Sequence, residues 1–217
     1  MIVIVVGMHR SGTSALAGML HMNGVVMGEY NTFYPDPSPE NPKGFYENFM
    51  FRKINDMLLK TRAYKVKSFS LDISQTQYLE NARIKTRMRK VIVAYNKKYE
   101  IWGFKDPRTC LTIRTWFDVF NNSDNVKVIN IVRDINEIAV SMIKRGDQGG
   151  LRKFKKLAVA YQSNFEKGIE NHKFLKIDFK DLISETKSTV TIIEDYLGLN
   201  IPDTSFIDPT LVSKKWI

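Results

Sequence analysis

The sequence of 217 residues contains only one cysteine and three histidines. A single cysteine, Cys110, cannot form an internal disulfide, and a structural zinc site needs several more cysteine or histidine ligands. We therefore expect Cys110 to be a small core residue, and we predict no metal site. No apolar run approaches the roughly 18 residues that a membrane span requires, and the N-terminus lacks the basic flank of a signal peptide. These absences predict a cytoplasmic protein without a membrane span.

Acidic residues are fewer than basic ones. The chain has 33 lysines and arginines against 23 aspartates and glutamates, a formal net charge of +10. This excess favours an anionic partner, and the charge alone leaves a nucleotide, an acidic or sulfated substrate, a membrane surface and a nucleic acid open. The length and a hydrophobic content of 43% fit a single domain over residues 1–217.

Short β-rich runs alternate with longer stretches in which apolar residues recur at helical spacing. The predicted strands cover residues 2–6, 101–104, 126–132 and 174–177, and the predicted helices cover residues 13–22, 47–61, 77–98, 109–120, 135–144, 151–170 and 182–197. This alternation predicts an α/β fold, a parallel β-sheet flanked by helices, of the P-loop nucleotide-binding type. A proline-rich stretch at about residues 29–45 cannot be regular structure, and we expect it to form a loop on the substrate side.

The first predicted strand runs into a loop with the glycine spacing of a Walker A phosphate loop, G-x-x-x-x-G-K-[ST]. Gly7 and Gly12 take the glycine positions and Ser14 the hydroxyl position, but Thr13 stands where the lysine should be. A strand, a glycine-bearing turn and a helix N-terminus in this order form an anion site, because the first helical N–H groups lack partners. The missing lysine indicates that the bound anion is not ATP.

Cations follow three of the predicted strands. Arg10 lies in the first loop, Lys105 follows the second strand and Arg133 follows the third. Ligands of open parallel sheets bind at the carboxyl ends of the strands, so we expect these cations to lie close together. Ser141 and Arg145 are four residues apart and share a helical face, so one anion could touch them and Arg133. The alternative is that all three are solvated surface residues.

These motifs resemble those of the sulfotransferases that use 3′-phosphoadenosine 5′-phosphosulfate (PAPS). The loop Arg10-Ser11-Gly12-Thr13-Ser14 is similar to the family's 5′-phosphosulfate loop, in the arginine-bearing version of its tyrosylprotein, glycan-modifying and bacterial members. Arg133, Ser141 and Arg145 match the family's 3′-phosphate motif in residue type and spacing. Lys105-Asp106-Pro107 resembles a further element of that branch, and Phe179-Lys180-Asp181-Leu182 resembles a weaker downstream signature.

The resemblance implies a donor and the residues that bind it. PAPS would be the sulfuryl donor and 3′-phosphoadenosine 5′-phosphate (PAP) the product, with no metal, because PAPS has no β,γ-phosphate pair for a metal to bridge. The residues expected to bind the nucleotide are Arg10, Ser11, Gly12, Thr13, Ser14, Arg133, Ser141 and Arg145. Arg10 and Lys105 are expected to stabilise the charge that grows on the leaving oxygen.

A general base is needed to remove the proton of the acceptor hydroxyl, and Glu47 is our first candidate. In the branch that this chain resembles, a glutamate between the first helix and the lysine element serves as the base. The alternative role for Glu47 is to stabilise the N-terminus of its own helix. His9 and His21 are rival bases, whereas His172 does not fit the pattern of the histidine-dependent branch of the family.

A P-loop kinase for a small metabolite is the nearest alternative function. Thr13 in place of the lysine argues against it, and no predicted strand ends in a clear Walker B aspartate. A nucleic-acid-binding module would suit the charge, but the sequence has no recognised docking motif, so we do not expect a nucleic-acid partner.

The acceptor cannot be identified from the sequence beyond a small molecule or a saccharide with a hydroxyl or amine group. Arg108 and Arg114 flank the helix that follows Lys105 and could reach an anionic acceptor or the nucleotide, but we expect them to be surface charges. Lys214 and Lys215 form a basic tail that has no clear match in the family, and the sequence does not predict an oligomeric state.

Overall fold

The computed structural model describes residues 1–39, 41–60, 69, 81–120 and 125–211. In this part of the chain, four parallel strands form one sheet: Ile2–Val6 (β1), Trp102–Lys105 (β2), Val126–Val132 (β3) and Leu175–Asp178 (β4). Their order across the sheet is β2-β1-β3-β4. The strand order reverses between β1 and β3, which is where open α/β sheets bind their ligands. The predicted α/β fold with a parallel sheet is confirmed.

The described residues form eight α-helices: Thr13–Met22 (α1), Phe49–Lys60 (α2), Ala82–Lys98 (α3), Thr109–Phe117 (α4), Ile135–Lys144 (α5), Leu151–Ile169 (α6), Phe179–Ser184 (α7) and Thr186–Leu197 (α8). Two 3₁₀ turns, Tyr30–Thr32 and Pro209–Leu211, accompany them. None of the helices in the described ranges combines the length and the apolar character needed to cross a membrane.

The sheet separates two apolar clusters, because successive side chains of a strand point to opposite faces. Ile4 of β1 lies in register with Phe104 and Val128, and all three are buried in a cluster with helices α2 to α6. Val5 and Ile129 point to the opposite face, where α1, α7 and α8 cover them. Both faces of β1 are therefore buried, which explains why all five of its residues are aliphatic.

Several predicted elements agree with the structure. The helices over residues 13–22 and 135–144 and the strand over residues 126–132 are confirmed at both ends. Cys110 is a buried free cysteine, as predicted. The helix predicted over residues 109–120 is too long, because α4 ends at Phe117. The predictions for residues 61 and 77–80 and for the tail at 214–215 lie outside the described residues.

The single helix predicted over residues 182–197 is wrong, because this segment belongs to two helices, α7 and α8. Helix α7 begins earlier, at Phe179, where the Asp178 carboxylate accepts a hydrogen bond from a first-turn N–H group. The break lies at Glu185, whose φ of −125° and ψ of 44° are not helical. Beside it, the Thr186 hydroxyl donates to a carbonyl four residues earlier at 2.9 Å, a local bond that competes with a regular helix.

A fully buried asparagine joins α2 to α4. The Asn55 amide group donates hydrogen bonds to Asp106 Oδ2 at 2.8 Å and to Thr109 Oγ1 at 2.9 Å. Its amide oxygen accepts hydrogen bonds from the Thr112 hydroxyl at 2.8 Å and from Trp116 Nε1 at 2.9 Å. Both donors and both acceptor positions of this side chain are used. The network fixes the turn after β2 against α2.

We predict that Asn55→Ala lowers the free energy of unfolding by about 3 kcal/mol, because it leaves several buried polar partners unsatisfied and opens a small cavity. Urea denaturation followed by circular dichroism measures this change. Asn136 is exposed in the first turn of α5, and Asn136→Ala is the control, with an expected change below about 0.5 kcal/mol. A loss below about 1 kcal/mol in Asn55→Ala would contradict a structural role for the network.

Candidate active site

The loop between β1 and α1 is tightly folded around two glycines. Gly7 has a φ of +156° and Gly12 a φ of +98°, conformations that other residues rarely adopt. A Cβ atom on Gly7 would lie 2.4 Å from the Ile131 carbonyl oxygen, and one on Gly12 would lie 2.1 Å from a ring carbon of Phe179. Helix α1 begins after Gly12 without a side-chain cap. Its first N–H groups therefore remain available to an anion.

Arg10 connects this loop to the elements that follow β3. Its φ of +68° is unusual for a residue other than glycine. Its Nε donates a hydrogen bond to Ser141 Oγ at 2.9 Å, and its carbonyl oxygen accepts one from Arg133 Nη1 at 3.1 Å. Ser141 is buried in α5. The structure thus brings together predicted site residues from both sides of the strand-order reversal.

The other two arginines predicted at this site have carboxylate partners. Arg133 Nε donates to Glu137 Oε2 at 2.7 Å, and its guanidinium lies 4.8 Å over the ring of Phe179. Arg145, directly after α5, donates through Nε and Nη2 to Asp147 Oδ2 at 2.9 and 2.5 Å. Their side chains are only 9% and 18% exposed, so they are not solvated surface charges. An anion that binds Arg145 shares its guanidinium with Asp147 or displaces that carboxylate.

Lys105 and Glu47 form a buried ion pair at the end of β2. Lys105 Nζ donates to Glu47 Oε1 at 3.0 Å, and the side chains are 1% and 9% exposed. Burial lowers the pKa of the Lys105 ammonium, and the Glu47 carboxylate partly opposes that shift. The prediction that a helix begins at Glu47 is wrong, because α2 begins at Phe49 and Asn48 caps it by accepting a hydrogen bond from the N–H of Met50. The Glu47 carboxylate instead faces Lys105.

Arg108 belongs to this buried cluster rather than to the surface of α4. The prediction of a surface charge is wrong, because its side chain is 2% exposed. Its Nε donates to Asp106 Oδ1 at 2.8 Å and its Nη1 to Asp56. Its Nη2 lies 3.7 Å from Glu47 Oε2. Burial alone would raise the pKa of Asp106, but the charge and hydrogen bonds of Arg108 lower it below its ordinary value. The sequence feature that could have indicated this cluster is Asn55. It occupies a position on the apolar face of α2, where a buried polar side chain requires hydrogen-bond partners.

The histidines differ in their relation to the site. His9 lines the cleft in the described part of the chain, but His21 and His172 do not. His21 Nδ1 accepts a hydrogen bond from the N–H of Met27 at 3.3 Å, and the His172 ring stacks on Phe117. His9 Nε2 is buried, and none of the described residues forms a hydrogen bond with it. Burial and then the surrounding positive charges hold the pKa of His9 well below its ordinary value, so the ring is neutral at pH 7.

One cleft of about 650 Å³ is lined by every predicted site residue except Ser11, which is buried. The Ser11 hydroxyl oxygen has no hydrogen-bond partner among the described residues. No group of three histidine, cysteine, aspartate or glutamate side chains in the described ranges is placed to hold a metal ion.

The proline-rich loop at residues 29–45, in which Glu40 lies outside the described residues, forms part of the cleft lining through Pro35, Pro39, Pro42 and Phe45.

The proline-rich loop is attached near both of its ends. The Glu29 carboxylate accepts hydrogen bonds from Lys98 and from the Tyr99 hydroxyl. At the other end, Lys43 Nζ donates to the Phe206 carbonyl oxygen at 3.0 Å and pairs with Asp208. The loop is therefore tied to α3 and to the C-terminal segment.

A family model described as "Sulfotransferase family" matches residues 3–203. A comparison with curated proteins gives no match. Among solved structures, the chain is similar to the sulfotransferase domain of the olefin synthase of Synechococcus PCC 7002, with a TM-score of 0.56 and 16% identity over 98% of this chain and 86% of that one. It is also similar to the sulfotransferase domain of the curacin biosynthetic pathway, with a TM-score of 0.59 and 14% identity over 96% and 77% of the two chains.

A third similar structure is the sulfotransferase STF1 of Mycobacterium tuberculosis H37Rv, with a TM-score of 0.50 and 16% identity over 94% of this chain and 68% of that one. At these identities the solved structures show a shared fold. The match to the family model extends from β1 to beyond α8 and therefore includes all of the predicted site residues.

We predict that His9 makes the protein less stable in acid. Because its pKa in the folded state is depressed, the unfolded chain takes up a proton near pH 6.5 that the folded protein does not, so stability falls as the pH falls. Between about pH 7.5 and 5.5 this contributes a loss of about 1 kcal/mol. Urea denaturation of the wild type and of His9→Asn at the two pH values measures the difference. An equal pH dependence in the two proteins would show that His9 titrates normally.

Proposed function

The chain belongs to the sulfotransferase family, and from this premise we propose that it transfers a sulfuryl group from PAPS to a hydroxyl or amine group of an acceptor. The observation that carries the proposal is the hydrogen bond from Arg10 Nε to Ser141 Oγ at 2.9 Å. This bond joins the glycine loop after β1 to the basic groups after β3. Two anion sites in one cleft suit a nucleotide that is charged at both its 5′ and its 3′ end.

The residues of the glycine loop fit a 5′-phosphosulfate. Helix α1 lacks a side-chain cap, and the buried Ser11 hydroxyl has no partner among the described residues. The N–H groups of residues 12–14, together with Arg10, would hold this end of the donor, whereas the Ser11 N–H already donates to the Met8 carbonyl oxygen. The residues that would hold the 3′-phosphate are Arg133, Ser141 and Arg145. Arginine suits this role because its guanidinium binds paired oxygens.

The ion pair at the end of β2 supplies a base and a cation side by side. Glu47 takes the proton of the acceptor hydroxyl as the acceptor oxygen bonds to sulfur and the bond between sulfur and the 5′-phosphate oxygen breaks. Lys105 and Arg10 stabilise the negative charge on that leaving oxygen. The 3.0 Å contact between Lys105 and Glu47 fixes the two groups relative to each other before the substrates bind. The acceptor is a small molecule or a saccharide that enters beside the proline-rich loop.

The contacts of Asp134 favour sulfuryl transfer over the alternative of a P-loop kinase. Asp134 directly follows Arg133 after β3, and its carboxylate accepts hydrogen bonds from the N–H groups of Asn136 and Glu137. It is therefore the N-cap of α5 rather than a metal-directed aspartate. Thr13 in place of the Walker A lysine supports the same conclusion.

A thermal-shift titration tests the donor. A ligand that binds only the folded state at about 100 times its Kd adds about 2.7 kcal/mol of stability, which corresponds to a rise in Tm of roughly 5–10 °C for a chain of this size. We expect PAP to produce this shift without metal, and we expect a smaller shift from 5′-AMP, which lacks the 3′-phosphate. Arg133→Ala should remove most of the difference between the two nucleotides. Stabilisation by ATP with Mg²⁺, but not by PAP, would contradict the proposal.

We predict that Glu47→Gln lowers turnover by about 10²–10⁴ while PAP affinity stays within about threefold, because the amide cannot accept the acceptor's proton. Transfer of radiolabel from ³⁵S-PAPS into an extract of the source cells measures turnover, and calorimetry measures PAP binding. Glu166→Gln is the matched control, since Glu166 is an exposed glutamate of α6 that accepts a hydrogen bond from Gln162 outside the cleft lining. Normal turnover in Glu47→Gln would remove Glu47 from the base role.

A further inference from the structure

Arg52 of α2 lines the cleft. Its Nη1 is buried without a hydrogen-bond partner among the described residues. Its Nε lies 3.8 Å from Glu47 Oε2, which is too far for a hydrogen bond. A buried donor of a charged group that stays unsatisfied costs about 1–3 kcal/mol or more. Such a group is typical of a site that is completed by a ligand.

The guanidinium of Arg52 is nevertheless held in a defined position. Its Cζ lies 4.5 Å over the ring of Tyr34, a cation–π arrangement. Tyr34 belongs to the proline-rich loop, and its N–H donates to the carbonyl oxygen of Glu47 at 2.8 Å. The Tyr34 ring also packs edge-on against Phe49 at the start of α2. Arg52 is therefore oriented before any ligand binds, which reduces the entropy lost on binding.

The carboxylates near Arg52 have hydrogen-bond donors other than Arg52. Glu47 already accepts a hydrogen bond from Lys105 at 3.0 Å. Arg108, the other cation near Glu47, is bonded to Asp106 and Asp56. Arg52 thus contributes a cation on the Glu47 side of the cleft, apart from the arginines assigned above to the nucleotide.

We propose that Arg52 binds an anionic oxygen group of the acceptor, a carboxylate or a phosphate or sulfate ester. The acceptor is then a hydroxylated molecule whose acidic group lies close to the hydroxyl that receives the sulfuryl group, because Arg52 and Glu47 are neighbours in the cleft. The planar guanidinium suits paired oxygens of this kind. This inference rests on the proposed function, in which Glu47 faces the acceptor hydroxyl.

Calorimetric titration of the PAP-saturated protein with two matched pairs of probes tests the inference. The pairs are 2-hydroxyphenylacetate with 2-hydroxyphenylacetamide, and 4-hydroxybutyrate with 4-hydroxybutyramide. PAP occupies the nucleotide sites, so the probes report on the acceptor side. In at least one pair, the acid should bind about tenfold more tightly than the amide, the size expected for a charge-assisted hydrogen bond. Equal affinity within both pairs, or no binding of either acid, overturns the inference.

Variants assign the effect to Arg52. Arg52→Gln should abolish the preference for the acid and leave PAP affinity within about twofold, whereas Arg52→Lys should retain part of the preference because it keeps the charge. Arg89→Gln removes an exposed arginine of α3 outside the cleft lining and should behave like the wild type. A preference that survives Arg52→Gln overturns the inference. So does a loss of PAP affinity above about tenfold in that variant, which would assign Arg52 to the nucleotide.

The PAP titration of the wild type distinguishes failure of the proposed function from failure of the inference about Arg52. Failure of the wild type to bind PAP contradicts the proposed function and this inference together. PAP binding without a preference for the acidic probes contradicts the inference alone.

Discussion

Charges that are removed from water must be paired with opposite charges, and this constraint shapes the floor of the cleft. The Lys105 ammonium is buried at the end of β2, and the carboxylate that pairs with it comes from Glu47, on the segment before α2. Arg108 and Asp106 extend the cluster, and Asn55 ties it to α2. Each member depends on the others, because a single unpaired charge in this position would be strongly destabilising. The pairing of Lys105 with Glu47, to which we assign a catalytic role, is therefore also required for α2 and α4 to pack on the sheet.

The parts of the site that could be predicted are those that depend only on residues close together in the sequence. The spacing of Gly7 and Gly12 reflects local backbone requirements, and the spacing of Ser141 and Arg145 reflects the helical repeat. The element boundaries over α1, β3 and α5 followed from the same local patterns. The parallel sheet could be inferred because alternating strands and helices have few other stable arrangements.

What could not be predicted depends on contacts between distant residues. Arginine is usually a surface residue. The burial of Arg108 becomes clear only when Asp56, 52 positions earlier, is known to lie beside it. Arg52 similarly fits the polar side of an amphipathic helix, and its contact with Tyr34 depends on how the proline-rich loop folds back. Beside the break at Glu185, the Thr186 hydroxyl donates to the Leu182 carbonyl oxygen, a local bond that competes with a regular helix and that apolar periodicity does not report.

The two attachments of the proline-rich loop bear on how the active site can change during evolution. Glu29 holds one end of the loop to α3, and Lys43 holds the other end to the C-terminal segment. Neither attachment uses the glycine loop or the basic groups after β3. Except at Tyr34, whose N–H bonds the Glu47 carbonyl oxygen, changes between the two anchors therefore act first on the acceptor side of the cleft. After gene duplication, one copy can therefore acquire a new acceptor while it keeps the same donor.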